Sequence, residues 1–154
     1  GNGRALNPPL ATGRLLSELR IQPGESILLI GAATGYAAAL LSAMGAIVTA
    51  VEEEGGPQAD VQPGVTLVRG PLAAGAPAGA PFDVLIVDGA IADLPAALVD
   101  QLGEDGRIAT GIVERGVTRL CTGRKAGGAF GLASLVDMEM ALLPGFSEPE
   151  GFVF

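Results

Sequence analysis

The sequence predicts an open α/β fold, a seven-stranded, mostly parallel sheet with a C-terminal antiparallel hairpin. Three observations lead there. First, residues 26–51 form a charge-free run that Gly31, Gly35 and Gly45 divide into three pieces. The outer pieces, Ile27-Leu28-Leu29-Ile30 and Ile47-Val48-Thr49-Ala50-Val51, are rich in branched residues and read as buried strands. The piece between them, 36–44, is rich in Ala and Leu and reads as a helix, so the whole is a βαβ unit. Second, Phe82-Asp83-Val84-Leu85-Ile86-Val87-Asp88 is a nearly continuous apolar strand, the pattern of a strand covered on both faces. Third, 117–122 and 129–136 flank Arg124-Lys125-Ala126-Gly127-Gly128, which reads as a hairpin turn.

The other elements follow in chain order. Asn7-Pro8-Pro9 starts a helix over 10–19, with Leu10, Leu15, Leu16 and Leu19 near helical spacing. Ile21-Gln22-Pro23-Gly24-Glu25 is a turn into the first strand, and Gly55-Gly56-Pro57 ends the exit from the second. Residues 65–68 form a short third strand, and the Ala/Gly/Pro-rich stretch 71–81 a surface loop. Asp93 caps a helix running through Leu102, with Pro95 in its first turn and Gly103 closing it. A fifth strand covers 106–113, and the apolar end 151–154 packs on the body. With helices on both faces, this is one domain over 1–154: an N-terminal segment and helix (1–20), a βαβ core (26–113), and a hairpin with its tail (117–154).

Composition removes whole classes of function. The charge-free run is long enough to span a bilayer, but Glu25 and Glu52-Glu53-Glu54 flank it with no Lys or Arg bias. A net charge of −8 without a basic run argues against nucleic acid and anionic membranes as partners. The chain has no His, which excludes Ser-His-Asp and Cys-His catalysis and every His-ligated metal; no metal site is expected. Cys121 is the single cysteine, placed in a strand as a core residue. With no secretory signal in view, a cytoplasmic location is expected.

In an open α/β sheet, ligands bind beyond the carboxyl ends of the strands, where strand order reverses. The first such end here is Gly31-Ala32-Ala33-Thr34-Gly35-Tyr36, a turn that brings backbone and a helix N-terminus close to a ligand. Glu52 ends the second strand 21 residues after Gly31, where a carboxylate can accept hydrogen bonds from a ribose diol. A pyrophosphate site needs G-x-G-x-x-G; the spacing here is G-x-x-x-G, which suits an adenosine without a pyrophosphate. That weakens a nucleotide-dependent oxidoreductase. Asp88 stands at the carboxyl end of the fourth strand, in reach of such a ligand. On the residues alone, the glycine turn serves either a ligand or strand–helix packing.

These residues resemble the protein-L-isoaspartate O-methyltransferases, a branch of the class I S-adenosylmethionine-dependent methyltransferases with a Rossmann-like fold. Leu6-Asn7-Pro8-Pro9 with Arg14 resembles the family's I-S-Q-P…R, residues 27–36 its V-L-E-I-G-T-G-S-G-Y, and Val51-Glu52 its V-E. Pro81-Phe82-Asp83-Val84-Leu85-Ile86-Val87, Pro95, Gln101-Leu102 and Gly106 follow its P-F-D-x-I-I-V…I-P…Q-L-x-x-G-G. The resemblance implies methyl transfer from S-adenosylmethionine to the carboxylate of an isoaspartyl residue in a protein or peptide, a repair activity. A carboxylate is ionised at neutral pH and can attack a sulfonium methyl directly, so the absence of His is no obstacle. The resemblance also implies Gly31, Ala33, Thr34, Gly35, Tyr36 and Glu52 around the cofactor, and Asp88, from its place at the end of the fourth strand, is expected to face the cofactor's methionine end. It places Asn7, where the family has a Ser, beside the acceptor carboxylate as the catalytic position.

Leu29 stands in place of the family's acid, Ala33 in place of its second glycine, and Gly70-Pro71-Leu72 in place of its G-D-G. The chain opens almost at the Asn7 segment, which points to a divergent or truncated member. The rival reading is a degenerate member that keeps the fold as a binding or scaffold module.

Overall fold

The computed structural model describes residues 6–32, 35–54 and 63–146. The expected turn at Gly55-Gly56-Pro57 and the apolar end 151–154 lie outside the described residues.

Seven strands, β1 (Ser26–Ile30), β2 (Ile47–Glu52), β3 (Val65–Arg69), β4 (Phe82–Ile91), β5 (Leu102–Glu114), β6 (Val117–Ala126) and β7 (Ala129–Asp137), form one sheet. Its order is β3-β2-β1-β4-β5-β6-β7. The first five run parallel, and β6 lies antiparallel to both neighbours, so the expected sheet and hairpin are present.

β1 shows why the sheet holds. Its side chains alternate between faces, and Ile27, Leu28, Leu29 and Ile30 are each 0% exposed. Burying each contributes about 1.5–3 kcal/mol. Ile27 and Leu29 join one core with Val84 and Ile86 of β4, and Leu28 and Ile30 join the other with Leu85 and Val87. Leu29, where the family has an acid, is a plain core residue between Ala50 and Ile86.

The two faces are covered unequally. Helices α1 (Pro9–Leu19) and α2 (Tyr36–Ala43) share the first, through Ala11, Leu15, Leu16, Leu19, Ala37, Ala38 and Leu41. Proline at the first helical position needs no N–H partner, which starts α1 at Pro9. Its buried stripe begins at Ala11; Leu10, counted into the stripe by spacing, is 79% exposed.

Among the described residues, the second face carries only α3 (Ala96–Val99) and two 3-10 turns, Leu72–Ala74 and Pro77–Gly79. The expected helix from Asp93 through Leu102 is thus corrected to a single turn. Asp93 does not cap it; its Oδ1 accepts only the next N–H, Leu94, at 3.1 Å. Gly103 does not close it either, because β5 has already begun at Leu102, which pairs with Phe82. Gln101 explains the early stop. Its backbone carbonyl accepts the Phe82 N–H, while its side chain accepts from Ala76 N–H and donates to the Ala74 and Ala97 carbonyls. The same contacts fold 71–81 down on the sheet, with Leu72 fully buried, so it is no free surface loop.

At the hairpin, Arg124, Lys125 and Ala126 belong to β6, and only Gly127-Gly128 turn. Lys125 Nζ donates to the Val99 and Leu102 carbonyls, which satisfies the exit of α3. Among the described residues no helix is long and apolar enough to cross a membrane.

At the opposite edge from the strand carboxyl ends, Arg107 of β5 grips Glu25 with two bonds of 2.8 and 2.7 Å, and its Nε donates to the Leu19 carbonyl at 3.2 Å. The guanidinium hydrogen bonds hold the Glu25 carboxyl below its ordinary value of 4.5 against a smaller opposing effect of burial. A depressed acid stabilises the fold above its unfolded value and loses that contribution as pH falls through the folded value. Arg107, raised by the same contact, stays charged throughout. Arg107→Met should therefore cost about 2 kcal/mol in urea unfolding at pH 7, the range of charged hydrogen bonds. The gap from the unmodified chain should narrow as pH falls below 4.5.

Candidate functional site

β1 stops early. Ile30 is its last residue, paired with Val51 on one side and Val87 on the other, while β4 continues to Ile91. Beyond Ile30 the chain turns at Gly31 (φ 89°), and the Gly31 and Ala32 N–H groups both donate to the Val51 carbonyl. Gly35 (φ 97°) precedes α2. An L side chain in this left-handed region costs about 1–2 kcal/mol, so both glycines are dictated by the turn itself. Ala33 and Thr34, expected around the cofactor, lie outside the described residues.

Glu52, the last residue of β2, sits one step beyond the Ile30–Val51 pair, next to Gly31. It is 0% exposed. Its Oε2 accepts the Glu53 N–H at 3.0 Å, and this is not its only interaction. A shallow cavity of about 300 Å³ opens beside it at Glu53, Glu54, Gly70 and Pro71.

Asp88 lies where the register between β4 and β5 shifts, between Ile86 and Ala90. Such an irregularity re-aims a side chain, and Asp88 turns toward α1. Its Oδ1 accepts the Thr12 hydroxyl at 2.7 Å and the Asn7 amide Nδ2 at 2.9 Å. Asn7 Oδ1 in turn accepts the Ala141 N–H at 3.0 Å. Asn7, Asp88, Tyr36 and Ala32 share a cavity of about 370 Å³, with Leu6 and Thr12 in its walls. Tyr36 is half-exposed at its mouth.

The structure thus brings Asn7, Tyr36 and Asp88 into one cavity with Ala32, sets Gly31 and Gly35 next to Ala32 and Tyr36 in the chain, and leaves Glu52 outside that cavity's lining. Sequence reasoning missed Thr12 and Ala141. Thr12 had a signal, as a polar residue on the buried stripe of α1. Ala141 had none, because only its backbone takes part.

The family model described as Protein-L-isoaspartate(D-aspartate) O-methyltransferase (PCMT) matches residues 1–138. The chain belongs to the protein-L-isoaspartate O-methyltransferase family.

A relative of that name from Koribacter versatilis is 30% identical over 151 residues, 93% of this chain and 68% of its own length. One from Methylorubrum populi is 36% identical over 115 residues, 70% of this chain and 54% of its own. The chain therefore spans between about half and two thirds of these family members. A solved protein-L-isoaspartate O-methyltransferase superposes with a TM-score of 0.78 at 21% identity, covering 89% of this chain and 47% of that one. A Plasmodium falciparum structure described as such a methyltransferase in complex with S-adenosyl-L-homocysteine gives 0.67 at 19% identity, covering 94% and 78%. At these identities the structural likeness shows a shared methyltransferase fold.

Because Thr12 is 2% exposed and its hydroxyl donates to the buried Asp88 carboxyl, Thr12→Val should destabilise this family member by about 1–3 kcal/mol in urea unfolding.

Proposed function

We propose that this chain binds S-adenosylmethionine across the end of β1 and passes its methyl group to the carboxylate of an isoaspartyl residue in a protein or peptide, in the cytoplasm. The observation that carries the reading is the conjunction at one strand end: two left-handed glycines before α2, Glu52 beside them, and a cavity holding Asp88, Tyr36 and Asn7.

The residues present fit the cofactor. A carboxylate can accept several hydrogen bonds, so Glu52 suits a ribose diol next to Gly31. Asp88 places negative charge where a methionine ammonium and a sulfonium would lie. The free N–H groups at the start of α2 face the same turn. When bound, the cofactor supplies an electrophilic methyl on a sulfonium. The chain's own part is to align, to hold charge and to exclude water. Asn7 borders the space for the acceptor, and its Nδ2 is directed into the cavity by Asp88. A carboxylate acceptor needs no general base, which is why a chain without His can carry the reaction.

Calorimetric titration with S-adenosylhomocysteine tests the cofactor half, and binding is expected. Glu52→Gln should weaken it about 10- to 100-fold, the loss of charged hydrogen bonds. Methyl incorporation into an isoaspartyl peptide, absent with its aspartyl counterpart, tests the acceptor half. No heat at millimolar ligand would remove the methyltransferase reading.

A further inference from the structure

The segment after β7 does not run off the sheet. It crosses it. Met138 N–H donates to the Thr118 carbonyl on β6 at 3.0 Å. Ala90 N–H then donates to the Ala141 carbonyl at 2.8 Å, and Leu143 N–H to the Ala90 carbonyl at 3.0 Å, so that Leu142 pairs parallel with Ala90. One edge of Ala90 is taken by Gly111 of β5. Leu142 therefore occupies the other edge, the one β1 holds as far as Val87 and then vacates. The segment goes on toward β2, where a Cβ at Gly145 would lie 3.5 Å from Glu53 Oε2. Residues 138–146 thus form a strap from β6, over the end of β1, to the end of β2. It seats one buried side chain in each core, Met140 and Leu143, with Met138 and Phe146 packed partly buried beside them. It lies so close that a Cβ on Gly89 would stand 2.7 Å from the Ala141 carbonyl oxygen.

The end of β1 is also where the adenosine is placed by the function proposed above, on which this inference rests. Glu52 is fully buried, so in this conformation its carboxylate is closed to a ribose arriving from solvent, and the strap ends next to it, at Glu53. One side chain ties the strap to the cavity floor. Asn7 Oδ1 holds the Ala141 N–H, while its Nδ2 is held by Asp88. A Ser hydroxyl, the family's residue at this position, is too short to bridge both.

We propose that Asn7 is a positioning residue, the latch of a strap that gates cofactor exchange. The strap lifts for S-adenosylmethionine to enter and for S-adenosylhomocysteine to leave, and Asn7 sets how often it does so.

The bond in question can be removed without touching Asn7. Cys121 permits ligation of a synthetic 121–154 segment carrying a backbone ester in place of the Ala141 amide, which deletes the one donor. Rates of S-adenosylhomocysteine association and dissociation would be measured by surface plasmon resonance on the full chain, alongside Asn7→Ala and an all-amide ligated control. The ester should raise both rates about 3- to 10-fold, the worth of one hydrogen bond, and change the dissociation constant less than either. The urea midpoint should fall no further than the loss of that one bond requires. In ligand-free Asn7→Ala, the Ala141 and Leu143 amides should exchange with deuterium faster than in the unmodified chain. Unchanged rates in the ester, or amides that open faster with no effect on the rates, would overturn the latch alone. No binding to the unmodified chain would overturn the cofactor reading, and the latch with it.

Discussion

The site depends on a mismatch in length between neighbouring strands. β1 has five residues and β4 has ten, and they start almost level. Past Val87, the edge of β4 that faced β1 presents backbone donors and acceptors without a strand beside them. Buried groups of this kind must find partners. At Ala90 the strap provides them; at Asp88 the side chain turns away from the sheet to meet Thr12 and Asn7. The slot that opens is lined by Ala32 of the glycine turn, Asp88 of β4 and Asn7 and Thr12 at the start of α1. A β1 longer by two residues would fill it. The glycines, the bulge at Asp88 and the crossing at Ala90 are separate answers to the same vacancy.

What keeps the slot in shape is α1. The helix of 11 residues is about 16 Å long, enough to run the length of five-residue β1. At its lower end Arg107 holds the Leu19 carbonyl and Glu25 together. At its upper end Thr12, and Asn7 just before it, meet Asp88. The cavity wall is thereby tied through a rigid element to an ion pair at the far edge. Among the described residues the opposite face has no comparable strut; one helical turn and two 3-10 turns gather around the Gln101 side chain instead. The stiff face of the sheet is the one on which the site is built.

The sheet was legible because strands buried on both faces leave a dense signal: Ile27 to Ile30 and Val84 to Val87 admit few other readings. Glycine breaks located the turn at Gly31 and Gly35 correctly, since a left-handed backbone leaves a direct mark on residue choice. Errors fell where a side chain far away in sequence decides the outcome. Asp93 and Gly103 look like helix boundaries, but Gln101 and the Phe82–Leu102 pairing end the helix after one turn. Leu10 fits the helical stripe by spacing, yet the sheet meets the helix on the side of Ala11 and Thr12. At the site, the residues on strand ends were foreseeable from topology. The Asn7–Ala141 contact was not, because a bond from a side chain to a backbone N–H 134 residues away leaves no trace in residue type.

The charge pattern of the slot follows from the chemistry proposed for it. The acceptor is an anion, and the chain that must admit it carries a net charge of −8. Asp88 in the cavity would repel that anion if its charge stood uncompensated. Two donors, Thr12 and Asn7, converge on the same oxygen of Asp88 and draw its charge toward α1, away from the open side. In the proposed reaction a cationic cofactor would complete the neutralisation before the anion is admitted. Closure has the same logic: the attraction between a carboxylate and a sulfonium is weak in water and strong where water is excluded. On the proposed function, a strap over the end of β1 would serve the reaction's energetics as well as the passage of its cofactor.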